Sequence, residues 1–258
     1  MSLAACAALV ERGDPDRFAA TMAAPQPARD LLWPLYAFNI EVARAPWVSA
    51  EPMIAEMRLQ WWRDAVEEIG AGQPARLHEV TLPLAGVIVQ AGLPVGLLDA
   101  IVEARRWDAG RAPFSDLPDF QSHIDATSGN LMWLAALALG AGPQAEPVVR
   151  DFAFGAGLAN WLRAVPELEA RGRLPLVDGR PEAIAALARS GLERIGLARQ
   201  RRKLVPAAAA PALLSGWQAE AILLQAAQSP QRVADGALGL SEFARRWGLL
   251  WRSAAGRW

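Results

Sequence analysis

Pro27-Ala-Arg-Asp-Leu-Leu-Trp-Pro-Leu-Tyr-Ala-Phe-Asn-Ile-Glu-Val-Ala-Arg44 reads as one helix. Leu31, Leu32, Leu35, Phe38 and Val42 step at three or four residues, the spacing that lines one face of an α-helix. Proline suits the opening position, and Pro34 inside the run predicts a kink. The same period continues on both sides. Asp14-Pro15 reads as an N-cap followed by proline at the first helical position. Ser49 or Ala50 opens the next helix, whose apolar set Met53, Ile54, Met57, Trp61, Ala65 and Ile69 ends at Gly70, Gly72 and Pro74. Further helices are expected over 76–91, 95–109, 116–139, 145–170, 181–202, 207–227 and 241–252. No stretch alternates apolar and polar residues between turn signals, so no strand is expected. The breaks are short and rich in Gly and Pro, as at Gly140-Ala-Gly-Pro143 and Asp178-Gly-Arg-Pro181, and none serves as a linker. The expectation is an all-α chain with a single domain over 1–258.

The chain has 258 residues, is 53% hydrophobic and has a net charge of −1. That supports one large core and gives no bulk field for nucleic acid. One cysteine, Cys6, excludes a disulfide framework, and with only two histidines a zinc site lacks ligands. The composition suits a reducing, cytoplasmic setting. No transmembrane span is expected. Val80 to Val102 is interrupted by Pro83, Gln90, Pro94 and Asp99, and Leu131 to Leu139 is far shorter than the roughly 20 residues a span needs. The N-terminus lacks the basic n-region of a signal peptide. Eleven tryptophans are many for this length, and packing is the expected role of each.

Familiar catalytic patterns are missing. There is no phosphate-binding glycine loop, and Gly155-Ala-Gly157 reads as a place where helices approach closely. His123 and Asp125 are two apart and point to opposite sides of a helix, so a surface or capped polar pair is expected.

Four segments, in order, resemble the squalene/phytoene synthase family. Ala24-Pro-Gln-Pro-Ala-Arg29 followed by Leu35-Tyr36-Ala37-Phe38 is similar to the opening of its first catalytic helix. Arg58-Leu-Gln-Trp-Trp-Arg63-Asp64 is similar to its next helix, and Thr127-Ser128-Gly129 stands where the family has a small pair in a central helix. Gly157-Leu-Ala-Asn160-Trp-Leu-Arg163 with Arg171-Gly-Arg173-Leu-Pro175 resembles the block around its second motif. The resemblance implies an isoprenoid-synthase-type helical bundle around a central cavity. It also implies two aspartate-rich motifs facing each other, which hold Mg²⁺ against the substrate diphosphates.

Here the sequence departs from the family. Aligned through Tyr36-Ala37-Phe38, the first motif falls on Ala43, Arg44 and Trp47. Aligned through Asn160 and Arg163, the second falls on Ala164, Glu167 and Leu168. The metal pairs become Ala43/Trp47 and Ala164/Leu168. Glu41 stands roughly 200° around the helix from Ala43, whereas Glu167 is about 60° from Ala164 and reaches the cavity edge. The cavity candidates are then Tyr36, Asn39, Asn160, Arg163, Glu167 and Arg173. Arg44 and Arg163 either bind an anionic head group or pair with acids such as Glu41 and Glu167.

Ala37-Phe38-Asn39-Ile-Glu41-Val-Ala43, with Met57-Arg-Leu-Gln60-Trp-Trp after it, looks like the non-enzymatic complex I assembly factor branch of the family. That resemblance implies a non-catalytic binding or assembly role at a membrane surface, with a respiratory-complex subunit or an isoprenoid or lipid ligand as partner. It needs no cofactor, and places the protein in the cytoplasm or peripheral to the inner membrane. A segment carrying Arg194, Arg199, Arg201, Arg202 and Lys203 is the expected membrane contact, against the plainer reading of a solvated face. Two alternatives stay open: a metal-independent lipid carrier, and an active Mg²⁺-dependent prenyltransferase condensing two isoprenyl diphosphates.

Overall fold

The computed structural model describes residues 2–49, 51–110 and 112–258. Among them the regular structure is all helical. Three helices cover the first part: α1 (Leu3–Gly13), α2 (Pro15–Met22) and α3 (Gln26–Arg44). Asp14 caps α2 as expected, its carboxylate accepting from the Arg17 N–H at 2.9 Å. The quoted stretch is α3. It continues unbroken through Pro34 and ends in a tight 3₁₀ turn over Ala45–Trp47.

Helix α4 (Pro52–Gly70) begins just after the expected start. Ser49 accepts from the Glu51 N–H at 3.1 Å, while Ala50 lies outside the described residues. Next come α5 (Thr81–Ala91), α6 (Val95–Ala104), α7 (Arg106–Ala109) and α8 (Leu117–Ile124). The expected helix over 76–91 starts only at Thr81. Before it, the Thr81 hydroxyl donates to the Arg76 carbonyl and Arg76 grips Glu68 at 2.7 Å, which holds that segment in a loop. The helix expected over 95–109 breaks at Arg105.

The run 116–139 is helical but not uniform. A π-helical turn over Asp125–Gly129 separates α8 from α9 (Asn130–Ala138). Such a turn carries one residue more than an α-turn and often sits at functional sites. Then follow α10 (Glu146–Ala170), α11 (Pro181–Gln200), α12 (Ala210–Leu214), α13 (Ala219–Gln228), α14 (Gln231–Ala234) and α15 (Glu242–Ala254). The helix expected over 207–227 is two pieces bent by 43°. Gly216 at the bend lies so close to Phe152 that a Cβ there would meet its ring at 2.8 Å.

Helix α10 is the axis. It packs on α11, α13, α9 and the π-turn, while α3 packs on α1, α5 and α9. The Gly155/Gly157 expectation is borne out. A Cβ on Gly155 would lie 2.5 Å from Ile195, and one on Gly157 would lie 2.6 Å from Ser128 of the π-turn. The main core is one continuous cluster, with Tyr36, Phe38, Phe120, Phe152 and Phe154 fully buried. Among the described residues no single helix is long and apolar enough to cross a membrane. The bent pair α12–α13 matches by length and composition only, and it buries Ala212, Leu213, Ile222 and Leu223 inside the molecule.

Candidate functional site

Helices α3 and α10 face each other across a cavity of about 330 Å³. From α3 and the turn that follows, Asn39, Ala43 and Trp47 line it at four-residue steps. From α10 come Gly157, Asn160, Trp161, Ala164, Glu167 and Leu168. These spacings put each set on one helix face. Thr127 and Ser128 contribute from the π-turn. All four positions aligned with metal-binding aspartates, Ala43, Trp47, Ala164 and Leu168, therefore meet in one cavity.

The other candidates divide. Asn39, Asn160 and Glu167 line the cavity, with Glu167 held by Arg171 at 2.5 Å. Tyr36 sits one layer deeper, in a narrow annex shared with Arg17, Asn160 and Ser215. Burial pushes its hydroxyl up to about 12, and the Arg17 guanidinium lies over its ring at 4.9 Å. Two candidates, Arg163 and Arg173, do not line the cavity, and Arg44 takes the ion-pair role that was left open for it. Arg44 is one residue, or about 100°, around α3 from Ala43, and it pairs with Glu41 at 3.1 Å. Arg163 is turned away from Ala164 for the same reason and meets Asp16 at 3.2 Å. Arg173 follows the left-handed Gly172 that ends α10. It donates to the carbonyls of Asp108 and Gly110, and stacks on Trp47 at 5.2 Å.

Several lining residues escaped sequence reasoning. Arg17, Arg105 and Arg171 supply positive charge, and Asp108 supplies a carboxylate only 3% exposed. Burial raises the Asp108 carboxyl above its usual range, while Arg105 at 3.4 Å works the other way. Arg17 belongs to a helix end and Asp108 to one turn of helix. No periodic signal marks either.

His123 is a correction. It is buried rather than at the surface, against Trp107, Phe114 and Trp161 at 5.1–5.8 Å between ring centres. The apolar run on α8 carries it into the core. Burial, and then the Arg105 charge, lower its pKa to about 3. Asp125 points elsewhere, to Arg150 at 2.9 Å.

Two tryptophans shape the cavity without filling it. The Trp161 indole N–H donates to the Pro175 carbonyl at 2.9 Å. Trp47 is stacked by Arg171 at 4.5 Å. The donor set does not suit Mg²⁺. At the four aligned positions alanine, tryptophan and leucine offer no oxygen, the lining carboxylates Asp108 and Glu167 are already paired with Arg105 and Arg171, and the arginines repel a cation. Among the described residues no three His, Cys, Asp or Glu side chains converge as a metal cluster.

The expected membrane segment lies on α11 and the turn after it. Arg194 stacks on Phe154 at 4.2 Å, Arg199 pairs with Glu220 at 2.7 Å, and Arg201 pairs with Asp151. The apolar residues Ile195 and Ala198 are buried, since α11 packs on α10 and α13. Most of the apolar stripe of this helix is thus covered, with Leu197 left exposed, and Arg202 and Lys203 are exposed beyond it.

Comparison with known proteins fits this geometry. The chain is similar to a dehydrosqualene synthase crystallised with ligand, with a TM-score of 0.82, 13% identity and coverage of 98% of this chain and 95% of that one. It is also similar to squalene synthase HpnC from Alicyclobacillus acidocaldarius, with a TM-score of 0.74, 16% identity and coverage of 89% and 94%. At such identities the likeness shows the fold alone. In sequence it is 24% identical over 162 residues to human NADH dehydrogenase (ubiquinone) complex I, assembly factor 6. This spans 62% of the chain and 48% of that protein. The Drosophila melanogaster homolog of that factor is 27% identical over 180 residues, 67% of the chain and 53% of the relative. The chain thus spans about half the length of the curated relatives it matches. The Squalene/phytoene synthase family model matches residues 10–240, and the chain belongs to that family.

Proposed function

We propose that this protein is a non-catalytic member of the squalene/phytoene synthase family that serves as an assembly or binding factor for a respiratory-chain complex. The observation that carries the reading is the lining of the cavity. Ala43, Trp47, Ala164 and Leu168 occupy the places of the paired aspartates, and arginines surround them. Head-to-head condensation must hold two diphosphates and neutralise a departing one. Neither alanine nor an aromatic ring does that. The volume agrees, because about 330 Å³ lies near the low end for small-ligand pockets and suits one modest ligand rather than two long prenyl chains. The relatives named as complex I assembly factors support the role and suggest a respiratory-complex subunit as partner.

In this reading Arg17, Arg105 and Arg171 receive an anionic group directly, and Ile124, Leu131 and Trp161 receive an apolar portion. Two measurements test it. Incubation with Mg²⁺ and farnesyl or geranylgeranyl diphosphate should release no pyrophosphate, and clear turnover with either would end the proposal. Removing the gene from its host should lower the amount of assembled NADH dehydrogenase on a native gel. Unchanged assembly would refute the partner.

A further inference from the structure

Helix α15 is built inside out. Its inward face holds Arg245 and Arg252, which pair with Asp16 and Glu220, and Gly248, which lies against Trp217. Leu249 packs beside Leu214 and Trp217 in a small separate cluster. The opposite face carries Phe243, Trp247, Leu250 and Trp251, at offsets of four, seven and eight residues. Their exposures are 77, 58, 61 and 59%. At about 100° per residue these side chains share one narrow arc. The Phe243 and Trp247 rings lie parallel, 6.5 Å apart, with nothing over them. A helix that fastens itself by arginines and shows its aromatic side to water leaves a large apolar surface without a partner.

The charge around that surface is mainly positive, since the acids Asp16, Glu220 and Glu242 are each shared between two arginines or more. From residue 242 to 258 the only acid is Glu242, against Arg245, Arg246, Arg252 and Arg257. At the C-terminal end of the helix an open pocket of about 450 Å³ is lined by Arg199, Arg202, Arg252 and Arg257. Burial and the neighbouring Arg199 hold Arg252 below the usual arginine range, as expected where cations crowd. Tryptophan and phenylalanine on one arc, with arginines at the flank and end, match a helix lying in a lipid interface. The rings enter the boundary layer while the guanidinium groups meet anionic head groups. A protein groove would have to supply a row of acids beside a cleft for the aromatic rings, whereas the surface of an anionic bilayer offers both at once.

We infer that α15 is a monotopic anchor, with Phe243, Trp247, Leu250 and Trp251 seated in the surface of an anionic bilayer. The assignment is independent of what the central cavity binds, and it places the membrane contact on α15 rather than on α11. The test is flotation of the full-length protein with phosphatidylcholine vesicles, with and without phosphatidylglycerol. The wild type should float with the anionic vesicles, and Trp247→Glu with Trp251→Glu should lower the bound fraction at least ten-fold at an unchanged melting temperature. Arg202→Glu with Arg257→Glu should remove the preference for anionic lipid. Brominated lipid should quench the wild-type fluorescence more than that of Trp247→Phe with Trp251→Phe, a variant that still floats. Equal flotation of the wild type and the double-glutamate variant overturns the assignment. So does a failure of the wild type to float. A dimer that the double-glutamate variant dissolves, without flotation, would assign the face to a second copy instead.

Discussion

The central cavity and the C-terminal helix depart from expectation in opposite ways. In the cavity, where the family fold places carboxylates, the chain has put Ala43, Trp47, Ala164 and Leu168 and surrounded them with arginine. On α15, where a helix of a folded domain hides its apolar side, the aromatic arc faces out while Arg245 and Arg252 face in. One region has lost the groups that do chemistry, and the other carries groups that make contact. A chain shaped to bind rather than to react would show both changes.

Substitutions should therefore hurt unequally in the two regions. The largest effect is expected at Gly157→Leu. The new side chain would strike Ser128 and Ile124 and push α10 from the π-turn, at a cost of about 3 kcal/mol read by urea unfolding. A loss below about 1 kcal/mol would show that the contact is looser than its geometry.

Next is the pH dependence set by His123. Its folded pKa, about 3, lies below the ordinary 6.5. Between these values the unfolded chain binds a proton that the folded chain refuses. Stability should fall as pH drops from about 6.5 towards 3, by about 1.4 kcal/mol per unit. Asp16 and Glu220 add to the loss at the acid end: burial opposes it, but the Gln218 side chain and then Arg245 hold the Asp16 carboxyl low, and Arg199 holds that of Glu220 low. His123→Phe keeps the aromatic packing and should flatten the slope between pH 6.5 and 5. An unchanged slope there would assign the sensitivity to other groups.

A smaller effect is expected at the mouth of the cavity. Trp47→Ala removes the ring stacked by Arg171 and Arg173, so a cost of about 1–2 kcal/mol should appear. The opened cavity should take up an anionic fluorophore such as anilinonaphthalene sulfonate faster in stopped flow. The smallest effect is expected at the exposed Arg44–Glu41 pair. Arg44→Ala should stay within about 0.5 kcal/mol by urea unfolding, and a larger loss would show that this pair contributes more than its exposure allows.

The helices of the frame were legible because period and caps repeat along the chain, as the Asp14 cap and the α3 stripe show. The cavity faces were legible for the same reason, since Asn39, Ala43 and Trp47 share a register. What escaped depends on contacts far apart in sequence. Arg163 and Arg44 sit beside cavity positions, but one residue of rotation sends them to acids outside. Asp108 and Arg17 reach the cavity from short or terminal turns that carry no period. The π-turn over Asp125–Gly129 shifts the register inside a run that reads as one helix. The outward face of α15 was missed because an apolar arc announces a helix without saying which side meets the body.

The approach of Gly157 to Ser128 has a further consequence. Because main chain and a small side chain touch at that depth, any residue larger than glycine at 157 would have to part α10 from the π-turn before it could enter the cavity. The wall there is a contact between two helices, so its position is a matter of helix spacing, whereas the mouth is shaped by a side chain, Trp47.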